Sequence, residues 1–209
     1  MPVPHWFDNL TSTGDPVSDV RRFLRQAGRA DTLRHVGRVA AAGRRLARRF
    51  GLPLPQSDLA CTAHDLAAVV PLPEIVGVAE SLNVPLSEAD RAIPQVVHGP
   101  VAAAVLRHCL HVNDESVLDA VRFHTTLRPG ATSLDMLTFI ADKIAYDPTA
   151  RSVGYHATLV ASADTASLPE LCFIYLAWGV QEGPRLGWRM HPHLLAAHEA
   201  LRDASKVSF

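Results

Sequence analysis

The chain lacks the sequence features of secreted and membrane proteins. Its 209 residues include three cysteines and no CxxC pair, which excludes a disulfide framework and a cysteine-type zinc site and favours a reducing compartment. The longest apolar run, LCFIYLAWGV, is about half a membrane span. The N-terminal MPVPHWFDNL has neither the basic start nor the apolar stretch of a signal peptide. We therefore expect a cytoplasmic protein with no membrane partner.

The chain also lacks an excess of charge of either sign. Its 20 basic and 21 acidic residues leave a formal net charge of -1 at pH 7. This balance argues against nucleic acid as a partner. Half of the basic residues fall between Arg21 and Arg49, a clustering that favours a solvated helix face over an anion site.

Common enzyme motifs are missing as well. The sequence contains no G-x-S-x-G, no G-x-x-x-x-G-K-[ST], no G-x-G-x-x-G and no H-E-x-x-H. These absences exclude the nucleophile elbow, the P-loop, the dinucleotide fingerprint and the zincin helix. Any active site must therefore combine residues that are distant in sequence.

Apolar residues recur at helical spacing, and period-two alternation is nearly absent, so the chain is predicted to be all-α. We expect caps at Ser57 or Asp58, at Asn113 and at Ser133. The predicted helices cover 17–26, 30–50, 58–70, 73–82, 99–110, 114–123, 134–146, 168–181 and 192–204. Residues 17–209 form one helical domain with its C-terminal helices packed on it, and residues 1–16 form an N-terminal extension.

Six imidazole and carboxylate groups lie at apolar positions or helix ends: His35, His64, Asp65, His98, His124 and Asp142. Burying one such group costs several kcal/mol unless a partner compensates it. Each residue alone is more often structural, but buried basic partners for all six are missing from the pattern. Neutral imidazoles and carboxylates together are a ligand set for a divalent transition metal, of which iron, manganese and zinc suit all-N/O ligation.

Five blocks carry a family resemblance: RHVGRVA, HDLAAVVP, VVHGPVAAAVL, VRFHTTLRPGATSLDMLTFIADKI and HPHLLAAHEAL. In this order they resemble the HD-domain metal-dependent phosphohydrolases, and within them the YqeK-like branch, bacterial enzymes that split diadenosine tetraphosphate symmetrically. The resemblance runs from about Leu33 to Leu201 and implies a single HD-domain helical bundle.

The resemblance also implies how the site is arranged. His35, His64, Asp65 and Asp142 can hold one ion, iron being favoured. The resemblance then makes Asp65 a bridge to a second ion, which is held also by His98 and His124.

The implied reaction is hydrolysis of a phosphoanhydride in a nucleotide or dinucleoside polyphosphate by a metal-activated water. His64, Asp65 and Arg128 are the predicted catalytic residues, with Arg128 as a bidentate phosphate clamp. Thr125 and Thr126 are predicted to donate hydroxyl groups to the substrate.

Three further expectations concern basic residues and assembly. Arg151 and the Arg21–Arg49 cluster are the alternatives to Arg128 for phosphate binding. Lys143 adjoins Asp142, but one helical step turns it by about 100°, so we expect it in solvent. The expected partner is a small-molecule nucleotide, and a homodimer is left open.

The chain departs from the family pattern at three positions. Ala68 replaces a usual lysine, Ala145 a usual glutamate and Leu127 a usual glycine. Two alternatives therefore stay open, a non-catalytic HD-fold nucleotide-binding module and a di-iron oxygenase. Turnover without oxygen separates hydrolysis from oxygenation.

Overall fold

The computed structural model describes residues 4–146 and 153–206, with the backbone alone at 153 and 203–206. Every regular element in these ranges is helical, which confirms the all-α prediction. The α-helices are α1 Pro16–Gln26, α2 Ala30–Phe50, α3 Leu54–Ala63, α4 Ile75–Ser81, α5 Glu88–Ala92, α6 His98–Leu110, α7 Glu115–Arg122, α8 Ser133–Ala145, α9 Val153–Ser162, α10 Leu168–Glu182 and α11 Pro192–Lys206.

Helix α2 has the predicted bounds and packs against α3 and α8. It ends at Gly51, whose φ of 65° is the left-handed conformation that glycine adopts without a Cβ penalty. Gly43 lets α2 approach α3 closely, because a Cβ atom there would lie 2.4 Å from Cys61 Sγ. This close packing brings His35 of α2 towards the end of α3.

The prediction of one continuous helix over 58–70 is wrong, because the helix begins earlier and is interrupted. Helix α3 begins at Leu54, because Pro55 suits its first turn, and the Ser57 hydroxyl lies inside it, donating to the Pro53 carbonyl at 2.8 Å. The α-helix ends at Ala63, and a 3-10 helix, Leu66–Val69, follows. The break falls at His64 and Asp65.

Two other predicted caps are shifted by one residue. Asp114, not Asn113, caps α7 by accepting from the Ser116 amide at 3.0 Å. Thr132, not Ser133, caps α8 in a capping box with Asp135. In each pair the true cap is the residue with extended backbone whose side-chain oxygen reaches the first free amides.

Two α-helices in the described residues were not predicted. Helix α5 has five residues, too few for a recognisable apolar period, and begins with a Ser87–Asp90 capping box. Helix α9 spreads its apolar residues around the axis, so no one-sided stripe marks it.

The buried residues form two apolar clusters. The first combines α1, α4, α6 and part of α7 with Phe7 and Leu10 of the N-terminal segment. The second combines α2, α8, α10 and α11. Helix α3 contributes to both, since Ala63 belongs to the first cluster and Cys61 to the second. The end of α3 therefore lies where the two clusters meet.

Leu127 lies in the turn after α7 and has a left-handed backbone, with φ of 58°. This conformation costs a leucine about 1–2 kcal/mol. The side chain is fully buried, and burying a leucine contributes about 1.5–3 kcal/mol. Burial therefore offsets the backbone cost at this position.

No single helix in the described part of the chain is long and apolar enough to cross a bilayer. One pair, Leu54–Val69 with Leu72–Ser81, reaches that length and composition jointly, but the pair is bent by 91°. Ala63, Leu66 and Ile75 of this pair are buried in the first apolar cluster.

Candidate metal centre

Asp65 lies at the centre of the six predicted ligands. Its Oδ2 atom is 3.6 Å from His35 Nε2 and 3.4 Å from His64 Nε2. Its Oδ1 atom is 3.2 Å from His98 Nε2 and 3.8 Å from His124 Nε2. The two oxygens therefore face two different pairs of imidazoles.

Asp142 completes the first of these groups from the neighbouring helix α8. Its Oδ1 atom is 3.0 Å from His35 Nε2 and 3.8 Å from His64 Nε2. The structure thus brings all six predicted residues together, from α2, the end of α3, α6, the end of α7 and α8.

Three of the four histidines are oriented in the same way. The Nδ1 atom of His64 lies 2.9 Å from the carbonyl of Cys61, three residues earlier in the chain. His98 Nδ1 lies 2.6 Å from the Gln95 carbonyl, and His124 Nδ1 lies 2.8 Å from the Val121 carbonyl. A carbonyl accepts but cannot donate, so each Nδ1 carries the hydrogen and each neutral ring turns an Nε2 lone pair to the centre.

Two of these lone pairs face each other at short range, since His98 Nε2 is 2.9 Å from His124 Nε2. The Nε2 atom of His35, the fourth histidine, lies 3.2 Å from His64 Nε2 and 3.0 Å from Asp142 Oδ1. Two neutral imidazoles that both hold their hydrogen on Nδ1 have no proton to share between their Nε2 atoms. A proton or a cation is needed to make such a pair attractive.

The spacing of the donor atoms fits a metal ion. Metal bonds of about 2.0–2.2 Å to nitrogen and oxygen separate neighbouring ligand atoms by roughly 3–3.5 Å. Most separations around Asp65 fall near that range, and two groups, His35–His64–Asp142 and His64–Asp65–His124, can each converge on one ion. The nitrogen and oxygen donors suit iron, manganese or zinc.

The electrostatics of the centre couple its carboxylates and imidazoles. Burial lowers the pKa of His64, but the Asp65 and Asp142 carboxylates outweigh it and raise that pKa to about 9. Burial raises the pKa of Asp65, yet His64 and His98 hold it well below its usual range. Burial, followed by the neighbouring His98 and His64, lowers the pKa of His124. A cation bound here would replace the proton that the two carboxylates hold on His64.

The expectation that Lys143 lies in solvent is wrong. Its side chain is buried, and Nζ donates to Asp142 Oδ2 at 2.6 Å. Helix α8 packs against α2, α3, α7, α9 and α10, so turning by one residue does not reach water. The Lys143 ammonium holds the pKa of Asp142 below its usual range against the effect of burial.

A cavity of about 490 Å³ opens onto five of the six ligands, and the sixth, His64, is buried behind them. The remaining wall includes Lys143, which was expected in solvent, and Arg38, which belongs to the Arg21–Arg49 cluster named as an alternative phosphate site. Sequence reasoning missed the aromatic part of the wall: Tyr146, Tyr155, Tyr175 and Trp188. These wall residues come from α2, α8, α9, α10 and the segment before α11. Arg38 lies three residues after His35, nearly one helical turn along α2, so the sequence places both side chains on the same face of that helix.

The three predicted substrate-binding residues are placed differently from one another. Thr125 lines the cavity, with Oγ1 3.1 Å from His124 Nε2. Thr126 is buried, and its hydroxyl donates to the Leu127 carbonyl at 2.8 Å. Arg128 is absent from the cavity wall. Its assignment as a clamp stays a prediction.

Arg128 makes its described contacts outside the cavity. Its Nε and Nη2 atoms both donate to Asp135 Oδ2, at 3.0 and 2.9 Å, and Nη2 lies 3.0 Å from Asp119 Oδ2. The guanidinium also lies 4.7 Å from the centre of the Phe123 ring. Arg151, the alternative, lies outside the described residues.

Gly99 sets the separation between two of the ligands. A Cβ atom there would lie 2.6 Å from the Arg122 carbonyl oxygen and 3.0 Å from that of Val121. Only glycine permits this approach of α6 to the end of α7. The approach brings His98, the preceding residue, next to His124.

In comparisons of sequence, the chain matches a family model and several individual proteins. The family model described as the HD domain matches residues 32–147. A symmetrical bis(5'-nucleosyl)-tetraphosphatase of Bacillus subtilis is 35% identical over 99 residues, covering 47% of this chain and 53% of the relative. Its counterpart in Staphylococcus aureus is 32% identical over 131 residues, covering 61% and 66%. The chain thus aligns with about half to two thirds of these relatives.

A solved structure supports the fold. It is titled a "predicted HD superfamily hydrolase involved in NAD metabolism" and comes from Clostridium acetobutylicum. It has a TM-score of 0.81 and 22% sequence identity, and the match covers 90% of this chain and 97% of that one. The predicted helical bundle is therefore confirmed.

Proposed function

The chain belongs to the HD-domain family, and from that premise we propose that it is a metal-dependent phosphohydrolase. Its proposed substrates are nucleotides or dinucleoside polyphosphates, cut at a phosphoanhydride bond. Two of its relatives are named symmetrical bis(5'-nucleosyl)-tetraphosphatases, so diadenosine tetraphosphate is the first substrate to test. The proposal includes a cytoplasmic location, where such nucleotides are found, and leaves a homodimer open.

One observation carries the metal part of this proposal. The Nε2 atoms of His98 and His124 face each other at 2.9 Å while both Nδ1 atoms are engaged by carbonyls. Asp65 Oδ1 lies 3.2 Å from the first of them. This arrangement is repulsive without a positive charge and favourable around a cation.

The six ligands would hold one or two divalent ions, with iron as the first choice and manganese or zinc as alternatives. When bound, such an ion supplies positive charge for phosphoryl oxygens and a more acidic water. The protein contributes the rest. The carbonyls behind His64, His98 and His124 fix the rings, and the Lys143 ammonium fixes Asp142.

Arg38 is our candidate for holding the phosphate chain, beside the sequence-based candidate Arg128. It lines the cavity with an exposed side chain, and its Nε donates to the Ala145 carbonyl at 3.2 Å. Within residues 4–146 and 153–206 no carboxylate pairs with it, whereas Arg128 and Lys143 each pair with at least one. The Thr125 hydroxyl would add a neutral donor on the same wall.

We expect Arg38→Ala to raise the KM for diadenosine tetraphosphate about tenfold, the effect of losing one charge-assisted hydrogen bond of about 1.5 kcal/mol. Arg128→Ala, measured in the same assay, tests the clamp prediction, which requires a higher KM together with a lower kcat. A lower Tm with unchanged kinetics would show that Arg128 only stabilises the fold, through Asp119 and Asp135. Steady-state kinetics and thermal melts on both variants give the comparison.

Metal content and oxygen-free turnover test the proposal as a whole. Protein purified without a chelator or a histidine tag should contain about one to two transition-metal ions per chain, measured by elemental analysis. It should release nucleoside diphosphate from diadenosine tetraphosphate at the same rate with and without oxygen. Turnover that requires oxygen would favour the di-iron oxygenase. Tight nucleotide binding without turnover would favour the binding module.

A further inference from the structure

A second cavity adjoins the one that holds the metal ligands. It has a volume of about 540 Å³, within the range of roughly 300–1,000 Å³ that is usual for small-molecule sites. The two cavities share Thr125, Tyr175 and Trp188 in their walls. A molecule whose phosphates reach the metal ligands can therefore extend into the second cavity without leaving the protein surface.

The second cavity has the lining of a site for a flat, weakly polar group. One wall is the segment 92–96, which provides Ile93, Pro94 and Val96. The other is the segment 187–194, which provides Trp188 and Met190. Such a site is mostly apolar, with a few polar groups at its edge.

Contacts between the two walls hold the cavity open. Arg189 Nη1 donates to the Ala92 carbonyl at 3.0 Å. His191 Nε2 lies 3.2 Å from Asp90 Oδ1 on the same side. The cavity is thus formed before any ligand enters it, which lowers the entropic cost of binding.

Trp188 presents an aromatic face in this cavity. Its indole packs edge-on against Trp178, with ring centres 5.4 Å apart and an interplanar angle of 75°. Trp178 lies in turn against Tyr155 and Tyr175. This aromatic support fixes Trp188 from one side, yet 38% of the residue remains exposed.

We propose that the second cavity binds one nucleoside of the substrate and that its base stacks on Trp188. This inference rests on the proposed function, because it takes the phosphate chain to be held at the metal ligands. Stacking on an aromatic ring suits every nucleobase, since each has a π-face. Trp188 is in this account a residue that selects nucleotides over inorganic phosphates.

A smaller cavity offers the alternative position for the base. It has a volume of about 250 Å³, adjoins Asp65 and His98 on another side and includes Ala68. Its lining includes no Phe, Tyr or Trp among the described residues, and its one imidazole, His98, belongs to the metal centre. It therefore provides no surface for stacking, and we assign the base to the larger cavity.

The test is equilibrium binding of ADP and of inorganic pyrophosphate to the metal-loaded full chain, measured by calorimetry. For Trp188→Ala the ratio of the two Kd values, ADP over pyrophosphate, should rise roughly 10-fold to 100-fold, the effect of losing one base–aromatic stack. Trp188→Phe retains an aromatic face and should keep the ratio within about threefold of the unmodified protein. An unchanged ratio in Trp188→Ala would overturn the inference.

Two further variants make the result specific. Leu186, just before the segment 187–194, is exposed and lines neither cavity, so Leu186→Ala should leave the ratio unchanged. Ile93→Trp fills the larger cavity from the opposite wall and should raise the ratio even though Trp188 is intact. Ala68→Leu fills the smaller cavity, and a raised ratio in this variant alone would place the base there and overturn the inference.

Because binding and hydrolysis are measured in separate assays, the outcomes separate the two proposals. A protein that binds ADP through Trp188 but hydrolyses no phosphoanhydride would contradict the proposed function and leave the nucleoside site standing. If Trp188→Ala hydrolysed diadenosine tetraphosphate at the normal rate and its ratio of Kd values for ADP and pyrophosphate were unchanged, only the nucleoside site would be contradicted.

Discussion

Replacing Asp65 by asparagine is expected to lower turnover by more than about 100-fold and to release most of the bound metal. Losing a residue that only supports a metal ligand typically costs about 10-fold to 100-fold, and Asp65 is itself a proposed ligand. The substitution keeps the size of the side chain and removes its negative charge. Both Asp65 oxygens are used, since Oδ2 faces His35 and His64 and Oδ1 faces His98 and His124. One change therefore weakens both halves of the centre.

The same substitution should lower stability. Removing one partner from a buried charge cluster costs about 3–5 kcal/mol. Asp65 keeps 22% of its side chain exposed, so we expect the lower end of that range. At about 2–4 °C per kcal/mol for a protein of this size, Tm should fall by roughly 6–12 °C. Differential scanning calorimetry with and without added metal measures this change.

Asp58→Asn is the matched control for Asp65→Asn. Asp58 lies on α3, seven residues before Asp65, has a similarly exposed side chain and pairs with Arg44 away from the centre. This control should keep its metal and its turnover. Normal turnover in Asp65→Asn would show that the aspartate is structural and would remove the basis for a bridged metal pair.

The second large effect is expected from His98→Ala combined with His124→Ala. This double variant removes both imidazoles that face Asp65 Oδ1, whereas His35, His64 and Asp142 remain as a possible three-residue site. We expect metal content to fall from about two ions towards one, and turnover to fall by more than about 100-fold. Elemental analysis and kinetics on the same preparations give both quantities.

A pair of histidines elsewhere on α6 controls for the double variant. His108 and His111 lie at the C-terminal end of that helix and belong to neither of the two candidate ligand groups. Their joint replacement by alanine should change neither metal content nor turnover. Near-normal turnover in His98→Ala/His124→Ala would mean that a single ion at the first group suffices.

The sequence predicted the helices best where a one-sided apolar stripe ends in recognisable stop residues. Helix α2 is the example, with an apolar face and Gly51 after its last residue. The sequence-based prediction missed α5, which is short, and α9, whose apolar residues surround the helix axis. Helix α10 was nonetheless predicted although its apolar residues also surround the axis, so a one-sided apolar stripe helps the prediction but is not required.

The candidate site was predictable in its ligands and not in its walls. His64 and Asp65 attract attention because ionisable residues in an apolar run require compensation. Tyr175 and Trp188 give no such signal, because aromatic residues at apolar positions are ordinary core residues. Their place at the cavity follows from how α10 and the segment before α11 pack, which no local pattern specifies. Lys143 was misplaced for the same reason, since α8 is surrounded by five neighbouring helices that its own sequence does not specify.

The close contact at Gly99 affects how the protein loses its function on heating. It joins α6 to the end of α7 through main-chain atoms, with no side chain between them. A side chain at such a junction could change rotamer and let the two helices slide, whereas main-chain carbonyls cannot yield in that way. His98 and His124 therefore keep their separation as long as the two helices exist. Heat should end function through cooperative unfolding of the domain, without an earlier loosening of this part of the centre.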